Sequence, residues 1–151
     1  MKRFLLAAPL LLATAICTDA AAYCVHNELK DKSITVVQEE HPDWKRQEAR
    51  FKKTLPPGAS QCCEYKNLDC NPNGRPNSLV GLEVSVDGDT PLKCGPVGMP
   101  EKGRQVKITG ESTLRVVPNP KMDKGSTAPY IARVFNAEKQ DVTGPSGLPC
   151  R

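Results

Sequence analysis

The chain has 151 residues, with 21 Lys and Arg against 17 Asp and Glu, seven cysteines, 14 prolines and 11 glycines. A formal net charge of +4 is too mild for a nucleic-acid-binding domain, and no apolar run is long enough for a transmembrane helix. The length suits one domain with a hydrophobic core, and the prolines and glycines lie between apolar runs, as turns do, instead of in a low-complexity tract.

Lys2 and Arg3 precede an apolar run over residues 4–16, and Ala20, Ala21 and Ala22 supply a small-residue cleavage pattern. This predicts a secretory signal peptide over residues 1–22 and one mature domain over residues 23–151. Cys17 leaves with the signal, and Ile16 before it is a poor context for lipidation. Loss of Lys2, Arg3 and Asp19 lowers the formal net charge from +4 to +3. Cys24, Cys62, Cys63, Cys70, Cys94 and Cys150 remain. An even number in an oxidising compartment predicts three disulfides, with the pairing open.

Residues 23–27 and 33–38 are the first strand candidates, the second rich in the β-branched types that suit a pleated surface. Over residues 41–55 the pattern changes: Trp44, Phe51 and Leu55 share a helical face while Lys45, Arg46, Arg50, Lys52 and Lys53 take the others. The expectation here is a long loop with a helical turn, then a short strand ending at Pro56. Residues 55–74, LPPGASQCCEYKNLDCNPNG, open and close in turns and hold Cys62, Cys63 and Cys70. They read as a covalent hub to which distant parts of the chain are tied.

Residues 79–86 alternate cleanly, with Leu82, Val84 and Val86 on one face. Since paired residues of an antiparallel hairpin share a face, a loop of Asp87, Gly88 and Asp89 sets Leu92 opposite Val84 and Cys94 opposite Leu82. The same test pairs Ile108 with Leu114 across residues 110–112, unless these strands arch between sheets. Residues 118–126 form a polar loop, residues 129–136 a last strong strand, and the turn-rich tail is held by Cys150. The fold class predicted is all-β, a small disulfide-stapled antiparallel β-sandwich of about seven or eight strands.

Few constellations point to chemistry. On a strand, the side chains of Cys62 and Cys63 point to opposite faces, which favours two different partners over a vicinal redox disulfide. Asp69, Asn71, Asn73 and Gly74 imitate the start of a calcium loop, but Val80 stands where a bidentate Glu is required. Asx turns explain the same residues, and neither metal nor cofactor is expected. His26 and His41, with a Glu and an Arg, offer the acid, base and phosphate contact of a small ribonuclease, although no spacing supports it. Residues 44–53, WKRQEARFKK, are the best binding surface: Trp44, Lys45, Arg46, Arg50, Lys52 and Lys53 offer an aromatic platform among cations. Lys45 and Arg46 are also a dibasic pair open to processing.

The signal peptide, the six mature cysteines with their Cys62–Cys63 pair, and LPPGASQCC after a β-rich start resemble small cysteine-rich secreted proteins of filamentous fungi, including effector-type proteins. The resemblance implies an extracellular interaction role and transfers no functional residue. The leading expectation is therefore a secreted non-enzymatic protein binding a protein, a glycan or an anionic surface, with nucleic acid a poor fit. The alternative is a small secreted hydrolase or ribonuclease using His26 or His41. A third is a protease inhibitor presenting a Pro-supported loop over residues 95–100.

Overall fold

The computed structural model describes residues 22–40, 49–100, 103–122 and 126–151. Ten strands form among them: β1 Ala22–Asn27, β2 Ile34–Gln38, β3 Lys52–Leu55, β4 Ser60–Glu64, β5 Leu79–Val86, β6 Leu92–Cys94, β7 Val106–Thr109, β8 Thr113–Pro118, β9 Tyr130–Phe135 and β10 Leu148–Cys150. No described residue lies in an α-helix. The strands join in one sheet of order β3-β2-β5-β6-β10-β9-β8-β1-β4, with β7 beside the first half of β5. The protein is all-β and disulfide-stapled, as its alternating runs predict. Short strands around Cys62, Cys94 and Cys150 raise the count beyond the seven or eight expected, and β1 runs parallel to β8 in an otherwise antiparallel sheet.

The sheet bends into two halves that face each other across one core. Ile34, Val36, Leu82, Val84, Val106 and Ile108 come from one half, Tyr23, Val25, Leu114 and Val116 from the other, and all are buried. Burying each such side chain contributes about 1.5–3 kcal/mol. At one side the halves are joined where Cys94 of β6 pairs with Cys150 of β10, an alignment that the Cys94–Cys150 disulfide locks. At the other side stand the two edge strands, β3 and β4, so the sheet is nearly closed and barrel-like.

Two expected registers differ. Leu92 pairs with Val86 and Cys94 with Val84, two residues from the expected alignment, and the loop runs over residues 87–91. The cause lies in Asp87: its N–H donates to Ser33 O at 3.0 Å and its carboxylate accepts from Thr35 Oγ1 at 3.0 Å. Asp87 thereby extends the β2–β5 ladder and cannot begin a tight turn. Ile108 pairs with Val80, not Leu114, because β7 joins β5 while β8 joins β1 and β9. The connection is the arch between halves. A Cβ on Gly110 in that arch would lie 2.7 Å from Asn71 Nδ2 and 2.8 Å from Tyr65 Cβ, so only glycine allows residues 65–75 to dock there.

The disulfides are Cys24–Cys62, Cys63–Cys70 and Cys94–Cys150. Cys62 and Cys63 do take separate partners on opposite faces of β4, which removes the vicinal redox bond. The hub expectation is corrected, however. Only Cys24–Cys62 ties a distant element to residues 55–74; Cys63–Cys70 closes a loop inside them, and Cys94–Cys150 lies elsewhere.

Candidate functional site

Strands β3 and β4 follow each other in the chain, joined by residues 56–59, and such neighbours ordinarily pair as a hairpin. Here they do not: β3 pairs with β2 alone and β4 with β1 alone. The buried side chain of Asn27 explains the separation. Its Nδ2 donates to Leu55 O at 2.9 Å and Lys32 O at 2.8 Å, and its Oδ1 accepts from Leu29 N at 3.1 Å. Its backbone takes the turn itself, donating to Ala59 O and accepting from Gly58 N, both at 2.9 Å. The turn is thus fastened to the end of β1. Gly58, at φ +75°, supplies the left-handed residue that the turn requires.

Between β3 and β4 lies an open groove of about 290 Å³. One wall is Arg50, Lys52 and Lys53; the other is Gln61, Cys62, Asn67 and Asp69; Phe51, Cys63 and Cys70 also line it. The basic stretch and the cysteine-bearing stretch that follows it are therefore two sides of one groove. Phe51 is buried edge-on against Tyr23, with ring centroids 5.5 Å apart, which anchors the basic wall to the core. The opposite wall is held by Cys63–Cys70 and by Asn67, whose Oδ1 accepts from Asp69 N at 3.0 Å.

Lys53 shares the inward face of β3 with buried Phe51 and Leu55, because its partner Val36 is in the core. Gln61 shares the inward face of β4 for the same reason, through its partner Val25. Both are nevertheless exposed. Inward positions that reach water mark the place where the sheet is open. Arg50 is already paired with Glu40, so among the described residues of this wall the cations free to meet a ligand are Lys52 and Lys53. Trp44, Lys45, Arg46 and His41 lie outside the described residues. Gln61, Asn67 and Asp69 are groove residues that the charge pattern alone did not mark; the strand parity of Cys62 and Cys63 marks Gln61.

The calcium-like segment is occupied otherwise. Asn71 is fully buried, donating to Arg75 O at 2.8 Å and accepting from Ser78 Oγ at 2.7 Å. Among the described residues no three His, Cys, Asp or Glu side chains gather as metal ligands do.

His26 stands in an outward row with Ser60, Arg115 and Arg133 across four strands. Arg115 is 3.4 Å from Glu28 and lies over the Phe135 ring at 5.0 Å, while Arg133 pairs with Asp141. Desolvation raises the Asp141 pKa, but hydrogen bonds from Thr143 and Arg133 and the Arg133 charge outweigh it and hold the carboxyl below its ordinary value. Asp141 stays ionised into acid, and both arginines are largely neutralised.

The loop over residues 95–100 is held by Arg104, which donates to Met99 O at 3.1 Å and Lys93 O at 3.3 Å. It contributes Pro96 and Met99 to an apolar groove of about 390 Å³ with Val134, Val142 and Leu148.

Fold and groove together define a disulfide-stapled all-β protein with one open sheet seam. No family model matches the chain, and neither a curated protein nor a solved structure does. Three disulfides fit an extracellular protein, and no helix among the described residues is long and apolar enough to cross a membrane.

Proposed function

We propose that this is a secreted, non-enzymatic, cysteine-rich protein that binds an extracellular partner, in the manner of effector-type proteins, through the basic wall of the β3–β4 groove. One observation carries the reading: Lys52 and Lys53 flank a concave, solvent-open groove whose walls are fixed by a disulfide and by a core aromatic. A grouped, positioned pair of cations beside a groove favours acidic protein segments, sulfated glycans or anionic surfaces. The expected outcome is salt-sensitive binding to at least one of these probes, weakened about tenfold or more by the Lys52→Glu, Lys53→Glu double variant with unchanged unfolding. Salt-independent binding that survives the double reversal would remove the assignment.

A hydrolase reading has one observation in its favour, the row that sets His26 beside Ser60 and Arg115. The ion pairs of both arginines with carboxylates favour a surface lattice instead. Including RNA and simple phosphodiesters in the same screen, with His26→Ala as the control, separates the two readings.

A further inference from the structure

We propose that the exposed edge of β3 takes up an extended acidic peptide segment of the partner as an added strand, with β4 as the facing wall. This rests on the binding reading above and names the kind of partner.

Antiparallel ladders alternate residues that bond to the neighbouring strand with residues whose N–H and C=O point away from it. Gln38 N donates to Phe51 O at 2.8 Å, which fixes the phase of the β2–β3 ladder. Phe51, Lys53 and Leu55 therefore bond to β2, while Lys52 and Thr54 direct their backbone groups into the seam. Asn27 N donates to Ala59 O, which fixes the β1–β4 phase in the same way. Ser60 and Cys62 thus face the seam from the other side. The N–H and C=O of Lys52 and Thr54 have no hydrogen-bond partner among the described residues. Such an edge is a template for another strand.

The same wall selects what can add. A second copy presenting its own β3 sets Lys52 and Lys53 against Lys52 and Lys53, and like charges opposite each other destabilise a pair. A strand with carboxylates at two adjacent positions meets Lys52 on the outer face with one and Lys53 on the inner face with the other. Lys53, an inward-facing cation on an edge, rejects an apolar strand and accepts an acidic one.

The test uses the full mature protein and an extended peptide in which adjacent Glu pairs alternate with Val pairs, so that both faces carry carboxylates. A twin peptide carries N-methyl groups on the residues meant to donate to β3. Thr54→Pro removes a seam-facing N–H that the β2–β3 ladder does not use, and edge strands tolerate proline in that position. Its folding is verified by an unchanged unfolding midpoint.

The parent peptide is expected to bind, and N-methylation or Thr54→Pro to weaken it by about tenfold or more. Amide exchange at Lys52 and Thr54 is expected to slow on saturation. If both backbone changes leave affinity intact while Lys52→Glu, Lys53→Glu abolishes it, strand addition falls and the charge reading stands. If the peptide does not bind at about 1 mM, the weak limit of useful recognition, while a sulfated glycan does, the peptide proposal is overturned and the basic surface is kept.

Discussion

Among the described residues the hydroxyl of Tyr23 has no hydrogen-bond partner, although the residue is completely buried. Burial pushes its pKa far above the ordinary 10.0, because the phenolate loses water and gains nothing in return. Tyr23→Phe removes the unpaired hydroxyl and keeps the edge contact with Phe51, so it is expected to stabilise the protein by about 1 kcal/mol at neutral pH. The sign of the pH dependence follows from the raised pKa. Above pH 10 the unfolded chain ionises Tyr23 while the folded one does not, so the wild type loses stability as pH rises. The advantage of the Phe variant should therefore grow there by up to about 1.4 kcal/mol per pH unit. Urea unfolding of both proteins at pH 7 and pH 11 checks it; a destabilised Phe variant at pH 7 would show that the hydroxyl is paired. That Tyr23 lies on a strand is legible in the sequence, but its unpaired oxygen is not, since pairing depends on neighbours distant in sequence. Lys53 shows the same boundary between local and distant information. Its charge suggests a solvated side chain, whereas its parity with Phe51 and Leu55 places it on the inner face of an open seam.

Elements with strict alternation, β2 and β5, were legible because one face of each is buried and the side-chain period is two residues. The same periodicity hid the β5–β6 register. A slip of two residues preserves every face, so a parity test accepts both alignments, and the backbone bond from Asp87 to Ser33 decided between them. The strands β6 and β10 have three residues each and carry no period at all. Most consequential was Asn27, which reads as one polar residue at the end of a strand. It is the fastener that holds the turn over residues 56–59 to β1 and keeps β3 from closing on β4. Asn27→Ala leaves Leu29 N and Leu55 O buried without their side-chain partner, at a cost of about 2–4 kcal/mol. Chemical denaturation measures that loss. Amide exchange at Gly58 and Ala59 should accelerate more than exchange in β5, since the turn loses its attachment first.

At the scale of the whole molecule, each disulfide closes a different dimension of the sheet. Cys94–Cys150 spans 56 residues and locks the short β6–β10 pairing that joins the two halves; Cys24–Cys62 spans 38 and crosses from β1 to β4; Cys63–Cys70 spans seven and shapes only the groove wall. The evenness of the cysteine count announced three bridges, and the opposite faces of Cys62 and Cys63 announced separate partners. Which strands become edges, and hence where the seam opens, is a property of the complete strand order and cannot be read from any one stretch. In the chain-entropy account the three loops contribute about 4.2, 3.9 and 2.4 kcal/mol respectively. Paired Cys→Ala variants should therefore lose stability in that order, measured by urea unfolding under oxidising conditions. Binding should follow the opposite logic. Removing Cys63–Cys70 costs the least stability but frees the wall that carries Asn67 and Asp69, so this variant should stay folded and lose affinity for a groove ligand. Removing Cys94–Cys150 should leave affinity intact at temperatures where the protein is still folded, because that bridge lies on the closed side of the sheet. Equal loss of binding in both variants would mean that the groove is not the contact surface.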